Sequence, residues 1–312
     1  MIRVLVAGLG NMGISHALAH HRLKASQIVG LVNRSEVTLP DELMHYPMFS
    51  SFENGMKSNP DLVVIATYSD SHADYACLAM EAGAHVFVEK PLATNVADAK
   101  RVVAKAKQTK RKLVIGYILR HHPSWMKLIE KTTSPIVDCG VHYVDVMCQI
   151  TDAKPVRVHG MGVRLTDEIA EDMYNYGQFQ VIFSDGTVGW YEAGWGPMMS
   201  ETAFFVKDIV SPNGAVSITE GNKGESADID GHTKVGGILV HTKTGDTLIN
   251  MPDEPEHQAL CDAEQAYILK AIDQNLDLSD HMSDGVNSLA ICLAADESIR
   301  TGKLIELADV LS

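Results

Sequence analysis

Four clusters in this chain have the residue types and spacings that perform chemistry. The first is Gly8-Leu9-Gly10-Asn11-Met12-Gly13, which fits G-x-G-x-x-G. Gly8 permits a tight turn, Gly10 lets an anion approach the backbone, and Gly13 lets the following helix pack close to a sheet. The free N–H groups at the start of that helix face the anion, so Gly8, Gly10, Asn11, Met12 and Gly13 are candidate contacts for a pyrophosphate. The motif follows an apolar strand and opens a helix, the context that separates a dinucleotide loop from an ordinary turn.

The second cluster, Leu31-Val32-Asn33-Arg34-Ser35, stands where such units read the ribose. A carboxylate there would bond the 2′-hydroxyl and repel a 2′-phosphate. Asn33 removes that repulsion, while Arg34 and Ser35 offer a cation and a hydroxyl, so NADP is favoured over NAD. The alternative is that Arg34 stacks on the adenine and either cofactor binds, with Glu36 close by. The third cluster, Glu89-Lys90-Pro91, ends a strand at the edge where open α/β sheets place ligands, and a lysine there is placed to act on a hydroxyl. The fourth is Asp138-x-Gly140-x-His142-x-x-Asp145. On a helix Asp138, His142 and Asp145 share one face, and carboxylates flanking an imidazole orient it and raise its basicity.

These residues need elements to hold them. Ile2–Ala7, Gln27–Val32, Leu62–Ala66, His85–Val88 and Leu113–Tyr117 read as buried strands, separated by helices over Met12–Lys24, His72–Ala82 and Val96–Lys107. Such alternation predicts an α/β domain over residues 1–120 with a parallel, doubly wound sheet. Residues 121–312 read as an α+β domain with a mostly antiparallel sheet. Its strands are Val156–Leu165, Tyr176–Phe183, Val188–Trp195, Thr202–Ile209, Ala215–Thr219, Val235–Thr242 and Thr247–Ile249. Ser184-Asp185-Gly186 and Lys243-Thr244-Gly245-Asp246 are hairpin turns, and helices Glu256–Gln274 and Ser283–Thr301 close the chain, the second stopped by Gly302.

Taken together, the chain resembles the Gfo/Idh/MocA family of sugar and polyol oxidoreductases over nearly its whole length. The resemblance rests on Gly8–Gly13, on Ala66-Thr67 with His72, and on Ala82-Gly83-Ala84-His85-Val86 running into Glu89-Lys90-Pro91. It continues through Gly116-Tyr117, the Asp138–Asp145 motif, and the closing Ala294-Ala295-x-x-Ser298-x-x-x-Gly302. It implies an N-terminal Rossmann domain and a C-terminal large open sheet whose exposed face makes homo-dimers or tetramers. It also implies reversible hydride transfer between a secondary alcohol carbon and an NAD(P) nicotinamide.

By the same resemblance Lys90, Asp138 and His142 are catalytic, with His142 as general base and Lys90 stabilising alkoxide charge. Some members are written with lysine as the proton carrier, and Asp138 bonds either the substrate or His142. Glu89 would touch the nicotinamide ribose, and Thr67, Tyr68 and His72 would border the cofactor. At the ligand edge after the Leu113–Tyr117 strand, Tyr117 and Arg120 with His121 or His122 would form a polar rim meeting sugar hydroxyls; otherwise these residues only cap the strand. Adjacent histidines point to opposite sides of an extended chain, so no metal site is expected. Two other readings of the fold remain: a nicotinamide-assisted glycosidase or lyase, and a non-catalytic sugar or cofactor sensor. Lys90 and His142 argue against the sensor.

Two departures from the family stand out. Tyr68 occupies a position where proline is common. From Pro91 to Asp138 the chain is some tens of residues shorter than the family usually is, with 131–136 in place of a strand and a loop. A break in the chain between Lys131 and Ile136 is the expectation, and a true deletion the alternative.

Composition narrows the partners. Across 312 residues, 26 Lys and Arg against 40 Asp and Glu give a net charge of −14, which disfavours nucleic acid. The basic run Lys105 to Lys112 reads as a solvated helix face. The start leaves no room for a signal peptide, and no apolar run approaches the ~18 residues of a membrane span. Five scattered cysteines without C-x-x-C fit reduced thiols, so a cytoplasmic protein is expected.

Overall fold

Ile2–Ala7 form strand β1, a run of apolar side chains that suits a strand covered on both faces; Val4 to Ala7 are fully buried. The computed structural model describes residues 1–123, 141–165, 167, 171, 174–194, 208–219 and 236–312. Strands β2 (Ser26–Val32), β3 (Met48–Phe49), β4 (Leu62–Ile65), β5 (His85–Glu89) and β6 (Leu113–Gly116) join β1 in a parallel sheet of order β3-β2-β1-β4-β5-β6. Parallel neighbours require crossovers, which here contain helices α1 (Asn11–Arg22), α2 (Phe52–Met56), α3 (His72–Glu81) and α4 (Val96–Thr109). The chain runs outward from β1 to β3 and then returns to β4 on the other side of β1. The β1–β4 edge is therefore the point where strand order reverses, the usual ligand crevice of such sheets.

Helix positions follow from capping chemistry. Asn95 opens α4 by accepting from the Asp98 N–H at 2.8 Å, and Lys110 ends it in the left-handed region at φ 56°. Within and beside the basic run, Lys105 pairs with Glu81 and Arg101 with Asp74 and Asp98, which ties α4 to α3.

The chain divides into two units, and the division is not a single cut. Unit one holds Met1–Ile118 together with Gln258–Leu289, and unit two holds Leu119–His257 with Ala290–Ser312. The first cut falls between Ile118 and Leu119. Helix α6 (His257–Asp273) returns to unit one because its apolar face, with Ile268 and Leu269, joins the core built by Val4, Val6, Leu62 and Phe87.

Among its described residues, unit two holds helix α5 (Val141–Ile150) and antiparallel strands β7 (Pro155–Val163), β8 (Tyr176–Phe183) and β9 (Val188–Gly194). Strands β10 (Asp208–Ser211), β11 (Gly214–Thr219), β12 (Gly237–Thr242) and β13 (Gly245–Asn250) follow. The sequence leads one to expect a single large sheet, but among the described residues these strands form two four-stranded sheets, β14-β7-β8-β9 and β10-β11-β12-β13, with β14 at Ile305–Glu306. Helix α7 (Ser279–Thr301) ends at Gly302, whose φ of 68° suits the expected stop. Its Ser298 hydroxyl accepts from Gly160 N at 2.8 Å, and a Cβ on Gly160 would sit 2.9 Å from Ile299, so glycine lets strand and helix touch. The opposite face of this sheet exposes Met161, Val163, Val188 and Trp190.

The expected break between Lys131 and Ile136 lies outside the described residues, as do Thr202–Lys207 of one predicted strand and Trp195. No helix among the described residues is long and apolar enough to cross a membrane.

Candidate functional site

Two of the three glycines in the turn after β1 leave no room for a side chain. Gly8 has a φ of 88°, and a Cβ there would collide with the Ala66 carbonyl after β4. A Cβ on Gly13 would run into the Gly8 carbonyl, so α1 can start this close to the sheet only with glycine there. Gly10 differs: a Cβ there would meet nothing within 4 Å, so its face is open for an approaching group. Gly10 also precedes α1, whose first turn has no acidic residue and no side-chain cap, which leaves the Asn11 and Met12 end able to receive an anion.

Asn33 couples this loop to the end of β2. Its Oδ1 accepts from Leu9 N at 3.0 Å, and its Nδ2 donates to Ser35 O at 2.9 Å. Both ends of the amide are thus engaged in holding the backbone. Arg34, Ser35 and Glu36 are exposed and line a cleft of about 410 Å³ with Gly8, Gly10, Thr67, Tyr68 and the Phe52–Tyr75 pair. Those two rings stack at 4.0 Å between centroids with 2° between planes. Tyr68 is 78% exposed at the rim.

Two residues read as cofactor contacts are turned inward. His72 is 1% exposed, and its nitrogens lie 2.8 Å from Pro91 O and 3.0 Å from Thr67 O. It ties the β4 and β5 loops together from behind and is absent from the cleft lining. Glu89 is also buried: its Oε1 lies 2.7 Å from His16 Nε2, and its Oε2 accepts from Lys90 N at 3.2 Å. Gly116 makes room for that carboxylate, since a Cβ there would stand 3.2 Å from Oε1. The motif's spacing gave the chain position of these groups and not their direction. Lys90 follows, half-buried, with a cis bond to Pro91.

Tyr117 is buried in unit one with its ring 6.0 Å from that of His281, a packing position rather than a surface contact. In unit two, Arg120 holds Asp145 with two hydrogen bonds of 2.8 and 2.6 Å, and Asp145 is almost fully buried. The pair binds the segment after β6 to α5. His122 is fully buried, which removes it from the surface a sugar would meet. His121 is half-buried, and burial with the neighbouring Arg120 charge holds its pKa down to about 4. Asp138 lies outside the described residues, and His142 is placed as the second residue of α5.

Sequence reasoning missed His16, His20, Glu264 and Gln265, all buried in unit one. His16 stands three residues after Gly13 on the same face of α1, a signal available in the sequence; no local signal linked it to Gln265, which lies 249 residues away.

Comparison with known proteins agrees with this architecture. Residues 2–117 match the family model described as "Oxidoreductase family, NAD-binding Rossmann fold", and residues 100–206 match the GFO/IDH/MocA C-terminal domain. The chain is 26% identical over 172 residues to 4-carboxy-2-hydroxymuconate-6-semialdehyde dehydrogenase of Sphingobium, covering 54% of each chain. It is also 26% identical over 196 residues to UDP-N-acetylglucosamine 3-dehydrogenase of Acidithiobacillus ferrooxidans, covering 54% of this chain and 61% of that one. The match thus spans only about half to three-fifths of these relatives. The solved structure of the latter superposes with a TM-score of 0.77 at 21% identity, over 96% of this chain and 98% of that chain. Scyllo-inositol dehydrogenase of Lactobacillus casei, with bound NAD(H) and scyllo-inositol, superposes with a TM-score of 0.75 at 18% identity over 99% of both chains.

Proposed function

Since this chain belongs to the GFO/IDH/MocA oxidoreductases, whose N-terminal part is an NAD-binding Rossmann fold, we propose that it is an NAD(P)-dependent dehydrogenase or reductase acting on a secondary alcohol of a sugar, polyol or glycoside. The observation that carries the reading is the cradle at Gly8, Gly10 and Gly13: two positions closed to any side chain and one open, at the reversal point of the sheet. When bound, the nicotinamide supplies hydride exchange. Gly10 and the α1 N-terminus hold the pyrophosphate. Arg34 and Ser35 receive a ribose 2′-phosphate, because residue 33 carries no carboxylate and its amide is engaged elsewhere, and NADP is therefore the preferred cofactor.

Lys90, as a cation, bonds the reacting oxygen and stabilises its developing charge. His142 takes the hydroxyl proton as general base, and Asp138 bonds either the substrate or His142, as the family resemblance implies. The exposed apolar face of β7 and β9, with Met161, Val163, Val188 and Trp190, supports a homo-dimer or tetramer. The scattered cysteines, with no C-x-x-C pair in the sequence, suit a reducing, cytoplasmic setting. The test is turnover of a panel of sugars and inositols with NAD and NADP by the wild type, Lys90→Ala and His142→Ala. Each substitution should lower kcat by at least ~100-fold and leave cofactor affinity little changed. Near-wild-type turnover in either variant would remove that residue's role.

A further inference from the structure

Behind the cofactor cleft runs a chain of buried polar side chains that the proposed chemistry does not use. Ser26 Oγ lies 3.1 Å from His20 Nδ1, and His20 Nε2 lies 2.9 Å from Gln265 Oε1. Gln265 Nε2 lies 2.9 Å from His16 Nδ1, and His16 Nε2 lies 2.7 Å from Glu89 Oε1. Glu89 then accepts from the Lys90 N–H. His16 and Gln265 are fully buried, and no other member exceeds 7% exposure among Ser26, His20 and Glu89. Cys261 and Glu264 bring a thiol and a carboxyl to within 4.8 Å of His16, but both of its nitrogens already have partners, so the cluster is a relay and not a ligand set.

Polarity in such a chain is set by the member whose donor and acceptor ends differ, here the Gln265 amide. Its NH2 group donates to His16 Nδ1, which must then be a bare acceptor, an arrangement that an imidazolium could not accept. The ring proton therefore sits on Nε2 and is donated to the Glu89 carboxyl oxygen. At the other end the amide oxygen accepts from His20 Nε2–H, and burial keeps His20 neutral by holding its pKa down to about 4. Turning the amide over would give His16 an Nδ1 proton. Glu89 would then face either a bare nitrogen lone pair at 2.7 Å or, with both nitrogens protonated, a full positive charge.

We propose that Gln265 is a positioning residue: it fixes the His16 tautomer, and through it the charge and orientation of Glu89 and the peptide that presents Lys90. The proposal rests on the functional reading above only where it concerns turnover. Histidine-selective ¹⁵N spectra of the wild-type protein, with His16 assigned through His16→Gln, test it without substrate. His16 is expected as the neutral Nε2–H tautomer. Gln265→Glu offers only acceptors, so both His16 nitrogens should become protonated and the pH profile of kcat should move. Gln265→Leu should lower kcat by ~10- to 100-fold, the scale of a misplaced reacting group, and leave the Kd of NADPH and NADH as in the wild type. An Nδ1–H or doubly protonated His16 in the wild type overturns the proposal even if neither variant folds. A His16 spectrum unchanged by Gln265→Glu overturns it too, as does an unaltered kcat in both variants. If the wild type turns over no sugar, the functional reading fails while the tautomer still decides the role of Gln265.

Discussion

Replacing Glu264 by glutamine should make the protein more stable, and increasingly so as pH rises. Glu264 sits on α6 at 1% exposure, and neither carboxyl oxygen has a hydrogen-bond partner. Burial first, and the nearby Glu89 charge second, raise its pKa well above the usual 4.5. In the unfolded chain the group titrates normally, so above that value the folded state binds the extra proton. Linkage then makes unfolding free energy fall with pH, by at most ~1.4 kcal/mol per unit for one proton, until the folded pKa is passed. This stability is fully present below the unfolded pKa and lost on the alkaline side.

Glutamine keeps the shape of the protonated acid and does not titrate. Near pH 5 the two proteins should agree to within about 1 kcal/mol, the worth of one altered polar contact. Over the next two pH units the variant should gain up to ~3 kcal/mol on the wild type. His20, His85 and His121, whose pKa values are each held at about 4, also favour the fold as pH rises through the acid range. They are common to both proteins and cancel in the difference. Urea midpoints at matched m-values from pH 5 to 8 give the comparison. A difference that stays flat with pH, or a variant weaker at pH 8, would refute the reasoning.

Gly13→Ala places a Cβ 2.8 Å from the Gly8 carbonyl carbon and should cost at least ~100-fold in NADP affinity, read by titration, with folding retained. Asp145→Asn breaks a buried ion pair by removing the carboxylate charge that Arg120 holds with two hydrogen bonds. Because the Arg120 side chain keeps 18% exposure, the loss should be near the low end of that class, about 3 kcal/mol in denaturant unfolding. Arg34→Asp removes a cation and adds a repulsive carboxylate, so the kcat/KM ratio of NADP to NAD should fall, and an unchanged ratio would mean that β2 does not select the cofactor.

What was legible in the sequence is what is local. β1 coincides with Ile2–Ala7, and Tyr176–Phe183 is found as read, because a run of apolar residues or a strict alternation carries its own boundary. β3 was missed: two residues offer no periodicity. The face of α6 was visible as an apolar stripe, but a stripe does not say which core it joins, and Ile268 and Leu269 pack on β1 rather than staying with unit two. Direction was equally hidden. Glu89 and His72 sit at motif positions read from the sequence as cofactor contacts, yet their side chains turn to His16 and to two carbonyls. Buried partners from distant segments, not spacing, decide that choice.

Hydride transfer from a carbinol carbon can be followed by isotope. It is tested most directly with a sugar or inositol that the panel identifies, deuterated at its reacting carbon, incubated with NADP and the wild-type enzyme. One deuterium per turnover is expected on the reduced cofactor, with a matching amount of ketone. Substrate consumed with no net reduced cofactor would indicate transient oxidation in a glycosidase or lyase, and binding of both ligands with no turnover would indicate a sensor; either result contradicts the account.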